Sequence, residues 1–107
     1  MAALTLSKRL QTVVSMIPRG KILADIGTDH ARLPCYAYLN GLAPYAVAGE
    51  VADGPYRAAI KQVEQLGMAD VISVRKGDGL EVIAPGEVDV IVIAGMGGSS
   101  IASILDD

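Results

Sequence analysis

Apolar residues along this chain of 107 residues change their spacing from segment to segment, and the changes predict alternating helices and strands. Leu6, Leu10, Val13, Val14 and Ile17 share one helical face, and Pro18 with Gly20 ends that helix. Ile22 to Ile26 is a short apolar run around Asp25, closed by Gly27, and reads as a buried strand feeding a tight turn. Arg32 to Asn40 reads as a helix with Pro34 tolerated in its first turn and Asn40 and Gly41 at its end. Tyr45 to Val51 is a second strand. Asp53 is then expected to cap a helix that carries Ala59, Val63 and Leu66 and closes at Gly67. Val71 to Arg75 is a third strand, followed by the turn Gly77, Asp78, Gly79, and Val88 to Ala94 is a fourth. A further helix is expected from about Ser99.

Alternation of this kind favours right-handed βαβ units in a parallel sheet, with ligands at the carboxyl ends of the strands. The expectation is one α/β domain over residues 1–107, Rossmann-like, with strand order 3-2-1-4. A doubly wound domain normally continues past its fourth strand. The chain therefore reads as the truncated amino-terminal part of a longer domain, with a fourth-strand edge open to pairing in a homodimer. The 51% apolar content, with four Tyr and no Phe or Trp, leaves the core to aliphatic and alanine packing, which suits strands covered by helices on both faces.

The single cysteine, Cys35, cannot form an internal disulfide and reads as a small core residue. No amino-terminal stretch has signal-peptide order and no apolar run approaches the ~20 residues that span a bilayer, so a cytoplasmic location without membrane insertion is expected. Nine Lys and Arg against twelve Asp and Glu give a net charge of −3, which lacks the basic footprint of nucleic-acid modules. Lys8, Arg9, Arg19 and Lys21 nevertheless lie in the first 21 residues without an acidic neighbour, as a local basic patch or a solvated helix face. No metal-ligand cluster can be assembled, and the lone His30 is more often a structural residue than a catalytic one.

Candidate chemistry sits at the strand ends. In ADIGTDHARLP, Gly27 lets the backbone pass close to a ligand and the following helix start offers N–H donors to an anionic group. Positions 29 and 32 are Asp and Arg where a dinucleotide fingerprint has glycine, which argues against an NAD-dependent oxidoreductase. Glu50 ends the second strand, where a carboxylate can accept hydrogen bonds from both ribose hydroxyls; a surface glutamate before a turn looks the same. Asp78, between Gly77 and Gly79, can accept from an adenine amino group, and a turn aspartate looks the same. Three carboxylates at three successive strand ends, Asp25, Glu50 and Asp78, exceed what turn chemistry alone asks for and favour an adenosyl ligand. After the fourth strand, IAGMGG places glycines and a flexible Met where a backbone can approach a substrate.

Taken in order, LSKRLQTV, ADIGTDHARLP, AGEVADGPYRAA, VRKGDGL and VDVIVIAGMGG resemble the TrmK family, bacterial methyltransferases that act on N1 of adenosine 22 in tRNA. The resemblance runs through nearly the whole chain. It implies a Rossmann-like methyltransferase fold, S-adenosyl-L-methionine as cofactor, tRNA as substrate, and a further helical domain absent here. It further implies cofactor contacts at Asp25, Gly27, Thr28, Asp29, His30, Glu50, Val51, Gly77, Asp78, Gly79, Ala94, Gly95 and Met96. Gly97 and Gly98, with Lys8 and Arg9, fall on the substrate side, and Asp29 is the candidate catalytic carboxylate. The Asn or Asp, Pro, Pro, aromatic motif with which many amino-directed methyltransferases grip a base is absent. A noncatalytic module that binds an adenosyl ligand is the alternative reading.

Overall fold

The computed structural model describes residues 8–28, 31–95 and 98–103. Its elements in chain order are α1 (Lys8–Ser15), β1 (Leu23–Ile26), α2 (Arg32–Leu39), β2 (Ala46–Glu50), α3 (Asp53–Gln65), β3 (Ile72–Lys76), a 3-10 turn (Gly79–Val82), β4 (Val90–Gly95) and β5 (Gly98–Ser103).

The continuous apolar runs become the inner strands because both of their faces are covered. β1 pairs in parallel with β2 and β4, β2 in parallel with β3, and the sheet order is β3-β2-β1-β4-β5. The Rossmann-like order 3-2-1-4 is thus present. Alternate residues of the strands serve opposite faces, as the two-residue period of a strand requires. Leu23, Ala46, Ala48, Val90 and Val92 pack against Val13 and Ile17 from the α1 region, Leu33, Cys35 and Ala37 of α2, and Ala59 and Val63 of α3. Ala24, Val47 and Ile91 meet Val88, Ile83 and Tyr45 on the other side. The described helices therefore lie on one face, where the alanine-rich composition had suggested helices on both.

Register decides where the site forms. Ile26 stands beside Gly49 in β2 and Ile93 in β4, and Glu50 beside Lys76 in β3, so three carboxyl ends come level. At the opposite end, the Ile22 N–H donates to Asp89 Oδ2 at 2.9 Å and the Asp89 N–H returns to the Ile22 carbonyl at 2.8 Å, which clamps the entries of β1 and β4.

Two expectations are corrected. Ser99 does not start a helix: Gly98–Ser103 is a strand antiparallel to β4, with Gly95 beside Gly98 and Val90 beside Ser103. Only Ile101 and Ala102 are apolar in GSSIAS, too few for a helical face, whereas the backbone of β4 offers a ladder. β5 thereby covers the β4 edge on which pairing in a homodimer was expected to rest. Asp53 is not a side-chain cap but the first helical residue after Ala52, its carboxylate held 3.2 Å from Arg57 Nε and 3.2 Å from Lys76 Nζ.

Candidate functional site

The turn after β1 is built around a buried pair. Asp25 and Thr28 are each 3% exposed, and the Thr28 hydroxyl donates to Asp25 Oδ2 at 2.9 Å. Between them Gly27 adopts a φ of 74°, a left-handed conformation that favours glycine. Its N–H donates to the Gly49 carbonyl at 2.9 Å and that of Thr28 to the same oxygen at 3.3 Å, so the turn folds back on the end of β2. On the other side of β2, the Gly77 N–H donates to the Glu50 carbonyl at 3.0 Å. Those bonds tie the three strand ends into one rim.

The rim encloses a cavity of about 240 Å³. Of the residues singled out in the sequence, Gly27, Glu50, Val51, Gly77, Asp78 and Gly79 line it, from three separate segments of the chain. Glu50 is half-buried there, while Val51 and Asp78 are exposed. Asp25 does not line the cavity but sits behind it, holding the turn through Thr28. Ala94 and Gly95 end β4, and Gly98 opens β5; their side-chain surroundings lie outside the described residues. Lys8 is exposed at the start of α1, away from the cavity lining, and Arg9 follows it in the helix. Asp29, His30, Met96 and Gly97, with the side chain of Arg9, lie outside the described residues.

Ile26 and Gly49 also line the cavity and were not singled out by motif. Gly49 had a legible signal, because an isolated glycine inside a strand marks a close approach. A Cβ there would stand 3.0 Å from Val82 Cγ2 and 3.2 Å from Ile26 Cδ1. Gly77 is tighter still, with a Cβ 2.7 Å from Val82 Cγ1. Val82, buried beneath both glycines, therefore sets the floor of the turn that carries Asp78.

Arg75 in β3 anchors this floor from below. Its guanidinium donates to Glu87 Oε1 at 2.7 Å, to Glu87 Oε2 at 2.6 Å and to the Val82 carbonyl at 2.7 Å. The Arg75 hydrogen bond, with the Ala84 N–H second, holds the Glu87 carboxyl down at about 2. Lys76 holds the Asp53 carboxyl below its ordinary range, chiefly through its hydrogen bond and then with Arg57 by charge. Cys35, fully buried in α2, has its thiol pushed up to about 11 by desolvation, so it stays a neutral core residue at ordinary pH.

Chemically, Glu50 and Asp78 bring two carboxylates to a cavity floored by glycines and by Ile26 and Val51. Carboxylates only accept hydrogen bonds, so the site suits a ligand with hydroxyl and amine donors and apolar faces, and it disfavours a polyphosphate. Among the described residues, no three His, Cys, Asp or Glu side chains gather as metal ligands, and no helix is long and apolar enough to cross a membrane.

Comparison with known proteins bears on the family and the fold. The methyltransferase domain family model matches residues 6–107. The tRNA (adenine(22)-N(1))-methyltransferase of Bacillus subtilis is 61% identical over 106 residues, covering 99% of this chain and 44% of that protein. The crystal structure of the B. subtilis M1A22 tRNA methyltransferase TrmK superposes with a TM-score of 0.86 over 89% of this chain and 41% of that one, at 61% identity. A Streptococcus pneumoniae tRNA (m1A22) methyltransferase homologue, solved in complex with S-adenosyl-L-methionine, superposes with a TM-score of 0.83 at 46% identity, over 87% of this chain and 44% of that one. The chain thus spans less than half the length of these relatives.

Proposed function

This chain belongs to the methyltransferase domain family, and from that membership we propose that it binds S-adenosyl-L-methionine at the carboxyl ends of β1, β2 and β3. In this reading it forms the cofactor-binding part of a cytoplasmic enzyme that methylates N1 of adenosine 22 in tRNA. The observation that carries the proposal is the single cavity that gathers Gly27, Glu50, Gly77 and Asp78 from three strand ends.

The donor set fits the cofactor. Glu50 accepts from the two ribose hydroxyls, Asp78 accepts from the adenine amine, and Ile26 and Val51 offer apolar contact to the ring. The glycines that Val82 crowds keep the backbone low enough for a nucleoside to lie over it. The positions of Asp29 and Arg32 in place of glycine support this ligand over NAD.

When bound, the cofactor supplies an activated methyl group on a sulfonium. N1 of neutral adenine already has a free lone pair, so the protein need not remove a proton first; its task is alignment, which can contribute ~7 to 11 kcal/mol. Asp29, directly after the turn fixed by Thr28 and Asp25, is proposed to stabilise the positive charge that arrives on the base. Lys8 and Arg9 are proposed to meet tRNA phosphate, and IAGMGG to line the side of the target base.

Calorimetric titration tests the cofactor half. Saturable binding of S-adenosylmethionine without binding of NAD is expected, and its loss in Glu50→Ala; binding of NAD alone would overturn the reading. For the catalytic half, Asp29→Ala is expected to lower the rate of methyl transfer to tRNA at saturating cofactor about tenfold or more. Full transfer by that variant would remove Asp29 from the mechanism. A noncatalytic module that binds an adenosyl ligand is the second reading. Cofactor binding with no methylation of tRNA would select it.

A further inference from the structure

Resting on the cofactor reading above, we propose that Glu81 is a positioning residue that sets the preference of the site for adenine over hypoxanthine. Glu81 is exposed and does not line the cavity, so any influence it has passes through Asp78. Its Oε1 accepts the Asp78 N–H at 2.7 Å, while its own N–H donates to the Asp78 carbonyl at 3.2 Å. A Cβ on Gly77 would stand 3.2 Å from the same Oε1 and 3.4 Å from Glu81 Cγ, so the side chain lies folded against the turn.

Two consequences follow from this reciprocal bonding. Asp78 is fixed at the rim, with the next residues rooted by buried Val82 and by the Arg75 bond to its carbonyl. Moreover, the Asp78 N–H is consumed by Glu81, which leaves the Asp78 carboxylate, an acceptor, as the polar group this residue offers to a ring. Adenine carries an amine donor at C6, and hypoxanthine a carbonyl acceptor at the same place. An occupied N–H beside a carboxylate that keeps acceptor capacity beyond the bond it takes from the Glu81 N–H rewards the amine. Releasing the N–H supplies a donor that the carbonyl can use, and loosens the carboxylate that the amine needs.

The test compares binding of S-adenosylhomocysteine with that of its deaminated counterpart, S-inosylhomocysteine, by calorimetry. The unmodified chain is expected to favour the adenine compound about tenfold or more, and Glu81→Gln, which keeps an acceptor oxygen, to retain that ratio. Glu81→Ala is expected to reduce the ratio about fivefold, with thermal melting confirming a folded chain. Glu81→Asp, one methylene short of the bond, repeats the measurement should the alanine variant unfold. An unchanged ratio in folded Glu81→Ala or Glu81→Asp overturns the proposal, whatever happens to stability. Failure of the unmodified chain to bind S-adenosylhomocysteine instead overturns the cofactor reading, and this inference with it.

Discussion

At the scale of single residues, the site depends on groups that never touch the cavity. The Thr28 hydroxyl is buried and supplies a hydrogen bond to a buried carboxylate. Thr28→Val keeps the shape and removes the donor, which is expected to cost about 1 to 3 kcal/mol of stability, measured as a lower urea midpoint. Gly77→Ala places a Cβ 2.7 Å from Val82 Cγ1, so the turn carrying Asp78 must shift. Cofactor affinity is expected to fall about tenfold or more, alongside roughly 1 to 3 kcal/mol of stability. Gly54→Ala is the matched control: nothing lies within 4 Å of its Cβ and it sits in α3, so stability should hold or rise by up to about 1 kcal/mol with binding unchanged. Glu50 and Asp78 were legible because strand ends can be located from apolar runs, and acids placed just there are few. Glu81 was overlooked although its spacing from Asp78, an acid three residues after a potential cap, is the sequence form of a capping box.

At the scale of elements, the inner strands were legible because continuous apolar runs bounded by glycine admit few other readings. Contacts between segments were not. Arg75 and Glu87 are twelve residues apart, and nothing in their local sequence says that the chain between them folds back onto β3. Their clamp can be read by pH. The folded carboxyl of Glu87 titrates at about 2, below its ordinary 4.5, so its contribution is present above 4.5 and fades as pH falls towards 2. Glu87→Gln is expected to lower stability near neutral pH by about 1 kcal/mol, a figure discounted because 27% of the Glu87 side chain stays accessible. The gap between variant and unmodified chain should close as denaturation is repeated below pH 4.5; a gap constant down to pH 2 would refute the clamp. The β5 strand was illegible for another reason. Its small, hydroxyl-rich residues have weak preferences of their own, and pairing with β4 decides their conformation.

At the scale of the whole molecule, the site and the fold share their supports. The three strand ends that line the cavity are joined by the bonds from Gly27, Thr28 and Gly77 to β2 carbonyls, so a ligand seated there bridges segments more than fifty residues apart in sequence. Such a ligand binds the folded chain and not the unfolded one, because Gly27, Glu50 and Asp78 converge only when β1, β2 and β3 are in register. Linkage then sets the magnitude. S-adenosylhomocysteine at about one hundred times its dissociation constant should stabilise the fold by about 2.7 kcal/mol, which for a domain of this size raises the melting temperature by roughly 10 °C or more. NAD at the same concentration should leave it in place. The increment should shrink in Gly77→Ala, which disturbs the rim, but persist in Glu87→Gln at neutral pH to the extent that Val82 stays seated under Gly77. A melting temperature insensitive to S-adenosylhomocysteine would mean that the cavity, though formed by the fold, is not where the ligand's binding energy is collected.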